Sequence, residues 1–142
     1  MSDCLFCRIA AGEIPAVVIH EDADLIAFLD VQPVRPGHTL IIPRQHHETF
    51  ETLPEPLAAK AIALGQRLAR RMKEVYPVER VAFLFTGVHI AHAHAHVVPM
   101  HDQMDITSQR YIVDGKGVRF SLAQLKVDAK ALAAVKAELD FR

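Results

Sequence analysis

A run of alternating histidines, His92-Ala93-His94-Ala95-His96-Val97-Val98, places the strongest constraint on the fold of this 142-residue chain. Because successive side chains of a β-strand point to opposite faces, the run predicts a strand with His92, His94 and His96 on one face. Neighbouring imidazoles on that face would be spaced about 6.5 to 7 Å apart, with small apolar residues behind them. The pattern therefore predicts a polar, functional face on a buried strand.

Two other interpretations of the histidine run need to be weighed. A purification tag is disfavoured, because the run is internal, alternates with small apolar residues and continues into two valines. A pure metal site remains open, since neutral imidazole is a common ligand and two or three histidines on one face can hold zinc or nickel.

Composition favours one soluble domain over residues 1–142. Hydrophobic residues make up 51% of the chain, enough for a single core and well outside the range of disordered sequences. The net charge of -1 provides no basic field for a nucleic acid polymer. The first residues resemble no signal sequence and no apolar stretch approaches eighteen residues, so we expect a cytoplasmic protein without a membrane anchor.

Both cysteines lie in a single Cys4-x-x-Cys7 motif. In a reducing compartment this spacing indicates a metal half-site or a redox pair. A redox motif normally follows a strand, and nothing upstream of Cys4 supplies one, so the metal half-site is favoured. Two histidines would complete a tetrahedral zinc site, and His46, His47 and His92 are the candidates.

The distribution of apolar residues predicts an α+β domain with an antiparallel sheet of about five strands. A short helix or turn is expected at 6–11, and one long helix at 56–75, where apolar residues recur with helical spacing. Ser121 is expected to cap a C-terminal helical region whose apolar stripe includes Leu125, Leu132 and Val135. The expected strands are residues 17–19, 25–29, 39–43, 81–85 and 92–98.

These motifs, in this order, resemble the histidine triad (HIT) superfamily of nucleotide hydrolases and transferases. The run from His92 to Val98 matches the family signature His-x-His-x-His-x-x. Other segments are similar to the Hint-like branch of phosphoramidases, and together they cover about residues 4 to 100. They are Cys4-Leu5-Phe6-Cys7, Ile14-Pro15, Glu21-Asp22, Ala27-Phe28-Leu29-Asp30 and Gly37-His38-Thr39-Leu40-Ile41-Ile42-Pro43-Arg44-Gln45-His46.

The resemblance implies a covalent mechanism. His94, the middle histidine, would attack the α-phosphorus of a nucleoside phosphate derivative and carry the nucleotidyl group. His38 and His96 would contact the phosphate, and one of them would help to protonate the leaving group. Imidazole suits this chemistry because it is both a nucleophile and a competent leaving group, so its phosphoramidate is readily hydrolysed.

The resemblance also implies how a nucleoside is held. Asp30 would accept hydrogen bonds from the ribose hydroxyls, although its place before Pro33 is also typical of a turn aspartate. The base would be sandwiched by apolar residues that are equally suited to an ordinary core. These are Phe6, Ile9, Ile14 and Phe28.

For the metal, the resemblance implies a closed structural zinc site formed by Cys4, Cys7, His46 and His92. That assignment removes His92 from phosphate chemistry and joins the N-terminus to the sheet. His47 is a possible substitute for His46, and His101 is expected to be a surface residue.

The chain departs from the family pattern beside the triad. Val88 stands where the family usually has a phosphate-binding glutamine, and His89 where a small hydroxyl residue often follows. An asparagine-bearing loop before the triad is missing, and Met100 replaces the usual arginine after Pro99. We therefore expect altered phosphate recognition.

Taken together, the resemblance implies a homodimeric hydrolase with structural zinc. The expected substrate is a purine nucleoside 5′-phosphoramidate or a related adenylyl conjugate. Two alternatives remain open, hydrolysis of dinucleoside polyphosphates and a nucleotide- or zinc-binding module with little turnover.

Overall fold

Two fully buried strands form the middle of the sheet. In the computed structural model, which describes residues 3–87, 89–106 and 128–140, these strands are β2 (Leu25–Leu29) and β3 (Thr39–Pro43). They pair antiparallel with Ile26 opposite Ile42. Both read as nearly continuous apolar runs because each face of the sheet is covered by other parts of the chain.

The other three strands extend this sheet on both sides in the order β1-β2-β3-β5-β4, with every neighbouring pair antiparallel. Strand β1 (Val18–Glu21) forms a hairpin with β2, and its turn is closed by Asp22, whose Oδ1 accepts the N–H groups of Asp24 and Leu25. The remaining strands are β4 (Arg80–Phe85) and β5 (Ala95–Met100). The predicted five-stranded α+β sheet is confirmed.

The predicted extent of the last strand is wrong at its start. β5 begins at Ala95, so His96 alone among the three histidines lies within it. Before the strand the chain bends, because the His92 N–H donates to Ile90 O and the Ala93 N–H donates to His47 O. The histidines therefore do not form a single strand face, and each enters a different environment.

The long helix α2 (Glu55–Val75) covers one face of the sheet and confirms the predicted helix, beginning one residue earlier. Its buried stripe of Leu64, Leu68 and Met72 packs into the larger core. At Gly65 the helix approaches the sheet so closely that a Cβ atom would lie 2.5 Å from the Phe83 ring. Glycine is therefore required here for close packing.

The opposite face is covered by a short N-terminal helix, α1 (Leu5–Ala10). Phe6 and Ile9 are buried against Phe28, Leu40 and Ile42, forming a second, smaller core. This packing brings the Cys-x-x-Cys motif onto the same face as the histidines.

A third helix, α3 (Ala129–Glu138), closes the described part of the chain. Its N-cap is Asp128, whose carboxylate accepts the Ala131 N–H, and Leu132 and Val135 pack on the larger core. The predicted cap at Ser121 and the stripe residue Leu125 lie outside the described residues. A turn of 3-10 helix, Phe50–Thr52, was not predicted.

Within the described ranges, no helix is both long and apolar enough to cross a membrane.

Candidate active site and metal centre

Four side chains from distant parts of the chain converge beneath α1. The potential ligand atoms of Cys4, Cys7, His46 and His92 all lie within 4.8 Å of one another. Cys4 Sγ and Cys7 Sγ are each 3.4 Å from His92 Nδ1, and Cys7 Sγ is 3.3 Å from His46 Nδ1.

These distances fit a tetrahedral zinc ion. With Zn–S bonds of about 2.3 Å and Zn–N bonds of about 2.0 to 2.1 Å, a tetrahedral centre separates sulfur from nitrogen by about 3.6 Å. The observed separations of 3.3 to 3.4 Å lie close to that value. Two thiolates and two imidazoles also form a typical ligand set for structural zinc.

The second ring nitrogen of His92 supports the same interpretation. Its Nε2 lies 2.9 Å from the Pro43 carbonyl oxygen, which can only accept, so Nε2 carries the proton and Nδ1 is left to face the thiols. Burial lowers the pKa of His92, and the hydrogen bond to Pro43 offsets part of that effect. The neutral ring thus presents its lone pair to the cluster, as metal-binding histidines do.

His47, the possible substitute for His46, is not part of this cluster. Its carbonyl oxygen accepts the Ala93 N–H and helps to bend the chain before the triad. Its Nε2 is buried without a hydrogen-bond partner in the described structure.

A cavity of about 490 Å³ opens next to this cluster, on the same face of the sheet. Its lining is mainly apolar. The polar side chains that line it include His94, His96, His38 and Asp30. A concave, mostly apolar pocket with a few converging polar groups is typical of a site for a small organic ligand.

The environment of His94 determines which of its nitrogens can react. Nδ1 lies 2.7 Å from the His92 carbonyl oxygen, so Nδ1 donates and Nε2 of the neutral ring keeps its lone pair. The ring is 7% exposed and packs edge-on to Phe6, with ring centroids 5.0 Å apart. A fixed tautomer and a fixed orientation are what a nucleophilic imidazole requires.

A chain of three hydrogen bonds runs beside His94. The Val34 N–H donates to His38 Nδ1 at 3.1 Å, so the proton of the neutral His38 ring must be on Nε2. His38 Nε2 is 2.9 Å from His96 Nδ1, and His96 Nε2 is 3.1 Å from Thr86 Oγ1. The backbone amide thereby sets a single direction of donation, from His38 to His96 and from His96 to Thr86.

Both rings of this chain favour the neutral state in the free protein. Burial lowers the pKa of His38, against the opposing charge of Asp30. Burial, reinforced by His38 and His94, lowers the pKa of His96 to about 4, again opposed by Asp30. A positive charge on either ring therefore needs the help of a bound anion.

Asp30 forms a turn and also lines the cavity. Its Oδ1 accepts the Gln32 N–H at 2.8 Å, as a turn aspartate does. Its Oδ2 lies 3.6 Å from His38 Nε2, and the residue lines the cavity.

Asp30, His38 and His96 also bring three potential ligand atoms within 4.8 Å of one another. However, the proton on His38 Nε2 occupies the nitrogen that would have to bind a metal, because the Val34 N–H already uses Nδ1. The neutral tautomer thus disfavours a metal here, in contrast to the cysteine-containing cluster.

Of the four residues expected to enclose a base, three line the cavity and one does not. Phe6, Ile9 and Phe28 line the cavity, and the rings of Phe6 and Phe28 meet edge-on at 5.7 Å. Ile14 does not line it, because the chain turns at Gly12 and Ile14 packs against the outer side of the smaller core. The expectation for Ile14 is therefore not supported.

The alternation of histidines did not identify Thr86 or Ile106, which both line the cavity. Thr86 directly follows β4 and precedes Gly87, and a polar residue just after a strand was a usable signal. His89 also lines the cavity, whereas Val88 lies outside the described residues. His101 is exposed, as expected.

Comparisons with known proteins identify the family of this chain. The family model described as HIT domain matches residues 11–103. A HIT-like protein of Methanocaldococcus jannaschii is 33% identical over 121 residues, covering 82% of this chain and 86% of the relative. An adenosine 5′-monophosphoramidase of Saccharomyces cerevisiae is 35% identical over 101 residues, covering 70% and 64% respectively.

Among solved structures, a zinc-bound histidine triad family protein from Mycobacterium smegmatis superimposes with a TM-score of 0.70. Its sequence is 27% identical, and the match covers 96% of this chain and 93% of that one. The fold and site define an α+β protein built around a histidine-lined cavity. The chain belongs to the HIT family.

Proposed function

We propose that this protein hydrolyses a nucleotidyl bond through a covalent intermediate on His94. The leading substrate class is a purine nucleoside 5′-phosphoramidate or a related adenylyl conjugate. The name of the yeast relative, an adenosine 5′-monophosphoramidase, supports that class. The observation that carries the proposal is the His94 ring, held by the His92 carbonyl with its Nε2 lone pair available in the cavity wall.

In the first step, the Nε2 lone pair of His94 attacks the α-phosphorus. A new N–P bond forms as the bond from phosphorus to the leaving nitrogen breaks, and that nitrogen departs with the bonding electron pair. The Nδ1–H donated to His92 O stabilises the positive charge that develops on the ring.

The leaving nitrogen needs a proton, and the His38–His96 pair is placed to supply it. Both rings favour neutrality in the free protein, so the substrate's anionic phosphoryl group must raise their pKa and draw one proton into the pair. Because the rings are only 2.9 Å apart, a single shared proton is favoured over two. His96 Nε2, next to Thr86, would be the donor.

In the second step, water attacks the phosphorus of the nucleotidyl-His94 intermediate. The N–P bond breaks, the electron pair returns to Nε2, and the water proton is taken by the His38–His96 pair. A nucleoside 5′-monophosphate is released, the His38–His96 pair returns its extra proton to solvent as the anion leaves, and the enzyme is again in its starting state.

The nucleoside would be held in the same cavity. Asp30 Oδ2 would accept hydrogen bonds from the ribose hydroxyls, since its other oxygen is already occupied by the Gln32 N–H. Phe6, Ile9 and Phe28 would enclose the base by apolar contact.

We further propose a structural zinc ion held by Cys4, Cys7, His46 and His92. With all four positions filled by protein it would provide no open site for catalysis, and its role would be to hold α1 over the sheet. Phe6, one residue from Cys7, would thereby be kept against His94. Thiolate ligands of this kind suit a reducing compartment such as the cytoplasm.

We propose that residues 1–142 act as one domain and that the chain works as a homodimer. β4 lies at one edge of the sheet, and exposed Phe50 stacks near its half-buried Phe85, with ring centroids 5.8 Å apart. An apolar strand edge of this kind is suited to pairing with a second copy. Light scattering coupled to size exclusion measures the molar mass directly.

The covalent step is tested by rapid quenching and intact-protein mass spectrometry with adenosine 5′-phosphoramidate as the substrate. His96→Asn is expected to slow the second step and to leave an adenylyl adduct that peptide mapping assigns to His94. No adduct and no turnover of any nucleotidyl substrate would contradict the hydrolase proposal and favour a binding module.

Substrate class is tested by comparing kcat/KM for adenosine 5′-phosphoramidate and a diadenosine polyphosphate, with His94→Ala as control. We expect the phosphoramidate to be the better substrate. A clear preference for the polyphosphate, abolished by the same substitution, would retain the role of His94 but overturn the proposed leaving group.

A further inference from the structure

A fully buried carboxylate lies outside the chemistry described so far. Asp105 follows β5 and is 0% exposed. Its Oδ1 and Oδ2 accept hydrogen bonds from Arg35 Nη2 at 2.7 Å and Arg35 Nε at 2.9 Å. Oδ2 also accepts the backbone N–H groups of His101 at 2.8 Å and Asp102 at 3.0 Å.

The two hydrogen bonds between Arg35 and Asp105 are well suited to hold these two residues in a fixed relative position. Arginine offers its donors in a planar fork that matches a carboxylate, which constrains both distance and orientation. Burial opposes the charge of Asp105, yet the hydrogen bonds from Arg35 and the two backbone amides hold the pKa of this carboxyl below its usual range. Both partners thus remain charged, and the ion pair is maintained across the physiological range.

Arg35 lies in the loop that leads to His38. The Arg35 carbonyl oxygen accepts the His38 N–H at 3.0 Å, and the preceding Val34 N–H donates to His38 Nδ1 at 3.1 Å. Because Asp105 holds the Arg35 side chain, it also restrains the backbone of Val34 and Arg35. Hydrogen bonds from that backbone position both the main chain and the ring of His38. Asp105, in contrast, belongs to the turn that ends β5, the strand of His96.

The Arg35–Asp105 ion pair therefore connects the loop that leads to His38 with the turn that follows the strand of His96. His38 Nε2 and His96 Nδ1 are 2.9 Å apart. If the Val34 amide moved away, His38 Nδ1 would lose its donor and the ring could place its proton on either nitrogen. With the proton on Nδ1, His38 Nε2 would become an acceptor, and donation toward Thr86 would be reversed.

We propose that Arg35 and Asp105 are positioning residues that hold His38 in the tautomer with its proton on Nε2, and so set the direction of the His38–His96–Thr86 chain. The catalytic consequence rests on the proposed function, whereas the tautomer itself does not. Asp105 also precedes Ile106, which lines the cavity, so the same turn supports one wall of the site.

The tautomer is tested by ¹⁵N NMR of the imidazole rings, in the zinc-loaded protein without substrate. We expect wild-type His38 to show a protonated Nε2 and an unprotonated Nδ1. Arg35→Lys keeps the charge but loses the fork, and Asp105→Asn keeps the shape but loses one acceptor. Both variants are expected to show a mixture of the two tautomers at His38, and an unchanged wild-type pattern in both would overturn the proposal.

A matched control separates this effect from a general loss of an arginine fork. The Arg44 side chain makes three hydrogen bonds, to Asp22 O, Ala10 O and Glu21, and is 30% exposed, against 27% for Arg35. Arg44→Lys is expected to leave the His38 tautomer and kcat unchanged. A shift of the His38 tautomer as large as that in Arg35→Lys would contradict a specific role for Arg35.

Kinetics supply the second readout. Arg35→Lys and Asp105→Asn are expected to lower kcat about tenfold while KM changes less than about threefold, because misdirected protons affect the transition state more than binding. If the tautomer shifts but kcat does not, the positioning stands and the proton role of His38 in the proposed function fails. If kcat falls with an unshifted tautomer, the positioning fails while the proposed function stands.

Discussion

His92 and His94 are two residues apart, yet the structure presents them to their surroundings in opposite ways. His92 directs Nε2 to the Pro43 carbonyl and turns Nδ1 toward two cysteines. His94 directs Nδ1 to the His92 carbonyl and keeps the Nε2 lone pair at a cavity. Which nitrogen is engaged, more than the presence of an imidazole, distinguishes a metal cluster from a reactive group.

The surroundings of His92 and His94 differ as well. The cysteine-containing cluster brings four potential metal ligands together, whereas the neighbouring site has an open cavity and a directional chain of imidazoles. Phe6 lies between them, its ring edge-on to both His92 and His94, at 5.9 and 5.0 Å. The cluster should therefore govern stability and the cavity should govern turnover, with α1 linking the two.

The largest expected effect is on turnover. His94→Ala removes the proposed nucleophile and is expected to lower kcat/KM by about four orders of magnitude or more, with little change in thermal stability. His101→Ala serves as a matched control, because its ring is exposed and lies outside the cavity. Steady-state kinetics that show similar losses for the two variants would contradict the assignment.

Changes at the cysteine-containing cluster are expected to affect thermal stability more than turnover. Cys7→Ala would remove one of the four potential ligands, and a strong chelator would remove the proposed zinc ion, so each is expected to lower the unfolding temperature. A ligand present at a thousand times its Kd stabilises by about 4 kcal/mol. Calorimetry with and without chelator measures this loss, and the variant should no longer respond to chelator. A wild-type melting curve indifferent to chelation would argue against structural zinc.

On the cavity side, the pH dependence of stability tests the environment of His96. The pKa of His96 falls to about 4 in the native state, from 6.5, so below pH 6.5 the unfolded chain binds a proton that the native state does not. Stability is therefore expected to decrease as pH falls from about 6.5 to about 4, at no more than about 1.4 kcal/mol per pH unit per proton. Partial exposure of the ring reduces this slope further.

His96→Asn tests the source of that slope, since it removes the titrating ring. Denaturant unfolding between pH 4 and pH 7 is expected to show a flatter dependence in the variant than in the wild type. Parallel curves for the two proteins would mean that His96 does not carry the expected charge penalty.

The smallest expected effect concerns Thr86. Thr86→Val keeps the shape but removes the oxygen that accepts from His96 Nε2. Losing one hydrogen bond of this kind costs about 0.5 to 1.5 kcal/mol, which corresponds to about a two- to twelvefold decrease in kcat/KM. Thr52→Val is a control, because its hydroxyl only bonds locally to Thr49 O. An unchanged kcat/KM in Thr86→Val would remove this residue from the chain.

Local sequence patterns predicted most of the fold because each strand carries its own apolar run. The segment 39–43, for example, is apolar after Thr39 and forms β3 with those same limits. The start of β5 could not be predicted, because the bend at Ala93 depends on a hydrogen bond to His47, 46 residues away in sequence. Alternation alone cannot reveal a partner that is so distant.

The candidate site follows the same rule. The alternation of histidines singled out His94 and His96, and the family resemblance added His38 and the roles expected of all three. The structure brings them together around one cavity. Ile14 was expected at the base only because of the family resemblance, and the structure packs it against the smaller core, outside the cavity lining. Thr86 and Asp105 were missed because their roles depend on tertiary contacts with His96 and Arg35.

The most direct test of the division between the two histidines is an ¹⁵N NMR measurement of both rings in the zinc-loaded protein. The account predicts opposite tautomers, with the proton on Nε2 and a metal-shifted Nδ1 in His92, and the proton on Nδ1 with an unprotonated Nε2 in His94. The same tautomer in both rings, or a metal-shifted nitrogen in His94, would contradict it.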